Sequence, residues 1–263
     1  MASRVLVTGG TRGIGRAIAL ALARQGARVC ITHRWNSVDE NAVRSVFENH
    51  GAVPPRIEEC DASDRVQTER LVQTLYAAWG GLDSVVTAVA FAGRVRELSD
   101  LTRESLALSL NYTAWPVLDL VKAGLGQPCP PKRFLALSSP AADARHALPG
   151  YDMVAVSKAA MEALVGYLAI RLKPSGISIN VLRLGPVDTE SLRAVLPEMA
   201  ANCESRGLFI DVSVAARAAA VLVSGLMDDI TGEILTVGDV ELRVALQTGC
   251  AHTPSECGAE TKM

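Results

Sequence analysis

The sequence is short of aromatic residues and has no concentrated patch of either charge. Aromatic side chains make up 4% of the 263 residues, and the formal net charge is −2 with lysines and arginines scattered along the chain. Without a basic cluster, neither nucleic acid nor an anionic membrane surface has an electrostatic site to bind. The composition therefore argues against both partner classes and favours a small-molecule partner.

Paired cysteines and long apolar runs are also lacking. No CxxC pair occurs, which excludes a zinc site of that pattern and a disulfide framework, so we expect reduced thiols. No apolar run reaches 18 residues without a charge or a glycine, and the chain enters a predicted strand at once, leaving no room for a signal peptide. These features predict a cytoplasmic protein. The six cysteines are at positions 30, 60, 129, 203, 250 and 257.

Apolar runs alternate with helical patterns along most of the chain. This alternation predicts an α/β fold in which helices cover a doubly wound parallel sheet. We expect one Rossmann-like domain over residues 1–248, with a mobile lid or a fixed helical hairpin at about 190–210, and a disordered tail at 249–263. The predicted strands are 4–8, 28–32, 56–60, 82–88, 133–137, 177–182 and 233–237. The main predicted helices are 16–25, 38–49, 63–79, 102–123, 150–172 and 212–226.

A glycine-rich turn follows the first predicted strand and begins the first helix. Glycines let the backbone turn sharply and approach a pyrophosphate, whose charge is favoured at a helix N-terminus. Because a second strand follows that helix, the pattern predicts a dinucleotide site. The turn contains Gly9, Thr11, Arg12, Gly13, Ile14 and Gly15.

The end of the second strand indicates which dinucleotide binds. An acidic residue there would hold the adenosine ribose and repel a 2′-phosphate, but no acid is present in Thr32-His33-Arg34-Trp35. Arg12 and Arg34 could instead bind the 2′-phosphate, which favours NADP(H). The alternative is two ordinary surface arginines.

Tyr151 and Lys158 are seven residues apart in the predicted helix 150–172. Seven residues are close to two turns, so both side chains project from one face. There the Lys158 ammonium could lower the pKa of the Tyr151 phenol and make it a catalytic acid. The alternative is a tyrosine at the edge of the core and a solvated lysine. Asn111, in helix 102–123, either bends that helix or holds a water behind Lys158.

Together these residues resemble the short-chain dehydrogenase/reductase superfamily from Val5 to about Val240. The common members carry a YxxxK pattern, and here the position of that tyrosine is Val154. The Tyr-x6-Lys spacing instead resembles enoyl-acyl-carrier-protein reductases, as do AVAFA at 88–92 and LGPVDT at 184–189. The likeness is to the FabL type, which keeps an ordinary glycine motif. The superfamily marks are TGGTRGIG at 8–15, CDAS at 60–63, Asn111, LSS at 137–139 and ITGEILTVG at 230–238.

The resemblance implies a set of site residues. It implies that Tyr151, Lys158, Ser139 and Asn111 form the catalytic site, with Ser138 as an alternative to Ser139. It implies that the glycine turn holds the pyrophosphate and that Arg34 holds the 2′-phosphate. It also implies NADPH as cofactor and a homodimer or homotetramer formed through the helices predicted at 102–123 and 150–172. The remaining implied contacts are Asp61 and Ala62 at the adenine, Val89 and Ala90 at the ribose, and Val187 and Thr189 at the carboxamide.

The expected activity is NADPH-dependent reduction of the double bond of an enoyl thioester, carried by acyl-carrier protein or coenzyme A. In this reaction hydride goes to C3 and charge gathers on the thioester oxygen, further from the hydride acceptor than in carbonyl reduction. A tyrosine displaced along the helix could reach that oxygen, while Lys158 holds the nicotinamide ribose. Two alternatives stay open: a carbonyl reductase with an atypical site, and a non-catalytic NADP(H)-binding protein. The acyl chain, and a role in fatty acid or polyketide biosynthesis, also stay open.

Overall fold

In the part of the chain that the structure describes, seven parallel strands form one sheet. A computed structural model describes residues 2–34, 38–91 and 95–237. The strand order is β3-β2-β1-β4-β5-β6-β7, so the chain reverses direction across the sheet between β1 and β4. In such sheets, ligands bind outside the carboxyl ends of the strands at this switch point. The strands are β1 Arg4–Thr8, β2 Arg28–His33, β3 Arg56–Glu59, β4 Ser84–Thr87, β5 Arg133–Ser138, β6 Ser178–Arg183 and β7 Ile234–Thr236.

Helices cover both faces of the sheet, as the alternation of elements predicts. One core cluster packs α1, α2 and α9 against one face, and a second packs α3, α5 and α6 against the other. The central strands β1, β4, β5 and β6 are buried on both faces, which explains their largely apolar sequences. The helices are α1 Gly13–Arg24, α2 Glu40–Asn49, α3 Arg65–Trp79, α4 Arg103–Thr113, α5 Trp115–Leu125, α6 Asp152–Leu172, α7 Glu190–Val195, α8 Pro197–Ser205 and α9 Val212–Leu222.

The helix predicted over 102–123 is wrong as a single element. It is divided at Ala114 into α4 and α5, and Pro116 occupies the first turn of α5. Proline has no N–H to donate and its ring clashes with the preceding turn, so a continuous helix cannot pass through this position without distortion. A smaller correction concerns α3, which begins at Arg65 with Asp64 as its N-cap, two residues after the predicted start at 63.

The segment over 190–208 folds as two short helices, α7 and α8, joined at Leu196. The tail predicted at 249–263 lies outside the described residues.

One stretch, Asp152–Ser175, is long and apolar enough to cross a membrane by length and composition alone. Half of it is buried within the protein, where α6 packs beside β6. Core helices pass the same test, so we interpret it as a core helix.

Candidate active site

The glycine turn has the geometry of an anion site. Gly9 and Gly13 have positive φ, of 66° and 54°. A Cβ at Gly15 would lie 2.3 Å from the Gly9 carbonyl oxygen, so only glycine fits there. The α1 N-terminus has no side-chain cap and no acidic residue in its first turn. These N–H groups therefore suit a pyrophosphate, and the residues present fit a dinucleotide.

Thr32, at the end of β2, holds the turn in place. Its hydroxyl accepts a hydrogen bond from the Gly9 N–H at 3.2 Å, and its carbonyl accepts one from the Gly10 N–H at 3.1 Å. The sequence analysis considered Thr32 only as a missing acid and did not predict this support.

Two other predicted cofactor residues lie against the glycine turn. Val89 Cγ2 lies 3.0 Å from where a Cβ at Gly9 would be, and Thr189 Cγ2 lies 3.4 Å from where one at Gly13 would be. Thr189 also caps α7, since its hydroxyl accepts a hydrogen bond from the Leu192 N–H at 3.1 Å. The fold thus brings together residues almost 180 positions apart. The other predicted contacts near these loops differ in exposure: Val187 and Thr11 are buried, Ile14 is half-buried, and Arg12 and Ala90 are exposed.

At the predicted adenosine end, Arg34 and Asp61 form an ion pair at 2.8 Å. Tyr112 joins both: its hydroxyl donates to Asp61 at 3.2 Å and accepts from Arg34, whose guanidinium carbon lies 4.9 Å from the ring centroid. Phe91 packs edge-on to Tyr112, with centroids 5.6 Å apart. Ala62 is buried beside Asp61. The sequence analysis missed both aromatic residues; the only signal was that Tyr112 follows Asn111.

Tyr151 is the N-cap of α6, one position before the helix starts, and not a residue within it. It is half-buried and packs with Val95, Leu106 and Val154, in a small apolar cluster separate from the main core. Burial raises the pKa of its phenol. This is opposite to the lowering expected from Lys158, so that part of the sequence analysis is wrong in this structure. The physical reason is that Tyr151 lies among apolar side chains while the lysine makes a different contact.

Lys158 is buried, with 6% of its surface exposed, and its ammonium donates a hydrogen bond to the Leu137 carbonyl at 2.5 Å. Burial lowers its pKa to about 8, and the nearby Glu162 carboxylate partly opposes that shift. The alternative of a solvated lysine is therefore wrong. Lys158 is an internal cation, placed where the carboxyl end of β5 meets α6.

The two serines after β5 have different environments. Ser138 is buried and donates to Glu162 at 2.6 Å. Ser139 is partly exposed, and its hydroxyl accepts a weak hydrogen bond from the Ala141 N–H at 3.3 Å. Of the two, Ser139 is the one whose hydroxyl is accessible to a ligand.

Asn111 lies exposed on α4. Within the described residues, no hydrogen bond joins its side chain to Tyr151 or Lys158. The structure therefore does not bring Asn111 into direct contact with the other predicted catalytic residues.

A cavity of about 230 Å³ lies beside the loop that leads into Tyr151. Its walls come from that loop, at Leu148 and Pro149, and from the hairpin of α7 and α8, at Leu196, Glu198 and Met199. Gly150 lies between the cavity and Tyr151, and a Cβ there would lie 3.5 Å from Leu196. Apart from the Glu198 carboxylate the lining is apolar, which suits an apolar chain.

Several known proteins are similar to this chain. A family model described as enoyl-(acyl carrier protein) reductase matches residues 9–239. The short-chain dehydrogenase/reductase FrzI of a Cladobotryum species is 33% identical over 189 residues, covering 70% of this chain and 70% of FrzI. The enoyl-acyl-carrier-protein reductase FabI of Escherichia coli, whose name specifies NADH, is 26% identical over 245 residues, covering 89% of this chain and 92% of FabI.

A solved structure also matches over most of its length. It is a short-chain dehydrogenase from Burkholderia cenocepacia in complex with NADP, with a TM-score of 0.76 and 31% identity, covering 91% of this chain and 98% of that chain.

Proposed function

The chain belongs to the short-chain dehydrogenase/reductase superfamily, in the family described as enoyl-(acyl carrier protein) reductase, and we propose on that premise that it reduces the double bond of an enoyl thioester with NADPH. An oxidoreductase activity follows from the family. The substrate, the cofactor preference and the roles of the site residues are our proposal.

The observation that carries the proposal is the pair Tyr151 and Val154. The position of the common superfamily tyrosine is a buried valine, and the available phenol stands before the helix, beside an apolar cavity. Because burial raises its pKa, the phenol stays protonated at neutral pH. A protonated phenol can donate to a developing enolate oxygen, which is what a reduction at C3 of a thioester requires.

In this proposal each of the chain's own groups has a separate role. The nicotinamide cofactor supplies the hydride when bound. Tyr151 donates a hydrogen bond and then a proton to the thioester oxygen. Lys158 holds the nicotinamide ribose and adds positive charge on the side of the tyrosine. The cavity between Leu148 and Met199 takes the start of the acyl chain and keeps water from it.

We propose NADPH over NADH because Arg34 directly follows β2 and no acid stands at the strand tip. Asp61 pairs with Arg34 at 2.8 Å and neutralises part of its charge, so the preference should be modest. Values of kcat/KM for the two cofactors test this. We expect a higher value for NADPH, and Arg34→Ala should remove most of the difference while Arg24→Ala, an exposed arginine on α1, should not.

The substrate is tested with crotonyl and acetoacetyl thioesters offered separately with each reduced cofactor. Loss of cofactor absorbance with the crotonyl compound supports the proposal. Oxidation of the cofactor with the acetoacetyl compound alone would overturn it.

The acid role is tested with Tyr151→Phe. Removing a general acid lowers kcat by about a hundredfold or more. The matched control is Tyr167→Phe, since Tyr167 lies on the same helix with 73% of its surface exposed. Equal activity of the two variants would contradict the assignment.

A carbonyl reductase is the second candidate, favoured by the partly exposed Ser139 hydroxyl after β5. In that case Ser139→Ala should reduce turnover of the acetoacetyl thioester as strongly as Tyr151→Phe. Cofactor binding without turnover of either thioester would instead support a non-catalytic binding protein.

We also propose that the protein works in the cytoplasm, on a small acyl thioester that acyl-carrier protein or coenzyme A carries. Support comes from the free cysteines among the described residues, three of which are buried, because a reducing compartment keeps such thiols unpaired.

A further inference from the structure

Glu162 is a buried carboxylate that the proposed mechanism does not use. It lies on α6 one turn after Lys158, with 7% of its surface exposed. Oε1 accepts hydrogen bonds from the Ser138 hydroxyl at 2.6 Å and from Arg183 Nε at 2.8 Å, and Oε2 accepts one from Arg183 Nη2 at 2.6 Å. Both of its oxygens are therefore held, and its rotation is fixed.

The same strand end holds Lys158. The backbone carbonyl of Leu137 accepts a hydrogen bond from the Lys158 ammonium. The hydroxyl of Ser138, the next residue, donates one to the Glu162 carboxylate. The carboxyl end of β5 thus fixes both charged groups of α6 with respect to each other. Because residues four apart in a helix are neighbours on one face, the carboxylate stands beside the ammonium.

The charge that acts on Lys158 is the Glu162 carboxylate. That carboxylate also pairs with Arg183 at the end of β6, which is partly exposed, and Arg183 in turn feels the Asp143 and Arg145 pair in the loop after β5, joined at 2.5 Å. Asp143 and Arg145 offset one another. Lys158, Glu162 and Arg183 together have a net charge of +1, and without the Glu162 carboxylate both cations would lose the negative charge beside them.

We propose that Glu162, held by Arg183 and Ser138, is a positioning residue that keeps Lys158 charged and aimed at the bound nicotinamide ribose. This inference rests on the role of Lys158 in the proposed function. A purely structural role is a poor alternative explanation, because a buried ion pair is often no more stabilising than an apolar pair of similar size.

The test is the pH dependence of cofactor affinity, measured by fluorescence titration with whichever reduced nicotinamide cofactor the wild type binds more tightly. In the wild type, affinity should fall as pH rises through about 8, where Lys158 loses its proton. In Glu162→Gln this fall should begin about one pH unit lower, because the favourable charge is gone. At pH 6, where the lysine is charged in both proteins, the affinities should converge.

Two further variants keep the test decisive. Ser138→Ala removes a neutral donor to the same carboxylate, so its pH midpoint should stay at the wild-type value. Glu162→Gln with Arg183→Gln also removes the cation that the carboxylate paired, so it should fold even if Glu162→Gln does not. Its midpoint should lie below the wild-type value by less than in the single variant, since an attractive and a more distant repulsive charge are both lost.

If the pH midpoint of cofactor affinity were unchanged in both Glu162 variants, the inference would be contradicted, whatever the stability of the variants. Cofactor binding needs no acyl substrate, so this result is independent of the thioester assays. A wild type that binds cofactor but reduces no enoyl thioester would count against the proposed function alone.

Discussion

At the scale of single residues, Lys158 makes the fold less stable than an apolar residue would. Its pKa is about 8 in the folded protein against an ordinary value of 10.5, so folding must bury a charge at neutral pH. The difference between these two pKa values corresponds to a loss of about 3 kcal/mol in the free energy of unfolding below pH 8. Between pH 8 and 10.5 the unfolded chain binds the proton more tightly than the folded one, so this loss diminishes as the pH rises.

Lys158→Met should therefore be inactive but more stable than the wild type at pH 7. The difference in melting temperature should narrow as the pH rises from 8 to 10.5, because the wild-type lysine becomes neutral in both states. Thermal unfolding at several pH values measures this. Lys122→Met, an exposed lysine on α5, is the control and should show no such trend. A difference that stays constant with pH would contradict the buried charge.

Gly15 gives a second prediction at this scale. A Cβ there would lie 2.3 Å from the Gly9 carbonyl, which is backbone and cannot turn away. Gly15→Ala should distort the turn and weaken cofactor binding by roughly tenfold or more. Gly166→Ala is the matched control, since a Cβ at Gly166 on α6 has nothing within 4 Å, and it should stabilise the protein by about 0.5–1 kcal/mol. Isothermal titration with cofactor should show weaker binding by Gly15→Ala and unchanged binding by Gly166→Ala.

The sequence predicted some of these residues and not others. The helical position of Lys158 was readable because the helical pattern runs through 152–172, whereas the same pattern placed Tyr151 inside the helix and not at its N-cap. The direction of the Tyr151 pKa was not, because it depends on Val95 and Leu106, which come from another part of the chain. Glu162 could have been found from its spacing of four from Lys158, whereas its partner Arg183 could not.

At the scale of elements, the hairpin of α7 and α8 is held by one arginine. Arg193 binds Asp188 at 2.6 and 2.8 Å and Glu204 at 2.9 Å, so it ties the start of the hairpin to its end. We propose that these exposed ion pairs keep the hairpin over the cavity beside Tyr151. Surface ion pairs contribute little to global stability, so their effect should be local.

Arg193→Ala should raise KM for the acyl thioester several-fold and leave cofactor affinity and melting temperature almost unchanged, because only the wall of the cavity loosens. Steady-state kinetics measure KM, and limited proteolysis within 188–208 measures how far the hairpin loosens. Arg217→Ala on α9 serves as control, being exposed and outside the hairpin. If Arg193→Ala impaired cofactor binding instead, the hairpin would not have this role.

Most elements follow from the sequence because strands buried on both faces read as apolar runs, and Gly26 and Gly80 mark helix ends with positive φ. The break between α4 and α5 was also signalled, by Pro116, but the apolar pattern continues through it. Helical periodicity alone therefore predicted one helix where proline, which lacks an N–H, separates two.

At the scale of the whole molecule, α6 exposes apolar side chains. Val156, Tyr167 and Ile170 are exposed, the last two by 73% and 72%. Leu168, on the same helix, is instead buried in the core. The doubly wound topology could be predicted from alternation, whereas which stripe of α6 stays uncovered depends on how α4 and α5 pack beside it.

We propose that this face of α6 pairs two copies of the chain. Ile170→Asp should shift the protein toward monomer, since a charge in an apolar interface must be desolvated. Light scattering after gel filtration measures the mass. Val66→Asp, an exposed apolar residue on α3, should leave the mass unchanged. A monomeric wild type would refute the pairing.

The attachment of α6 to the last two residues of β5 has one more consequence. Both anchor points precede residue 139, so the stretch 139–150 that shapes the acyl cavity contributes neither. We propose that a loop of different length grafted between Ser139 and Tyr151 would reshape the cavity without displacing the internal ammonium.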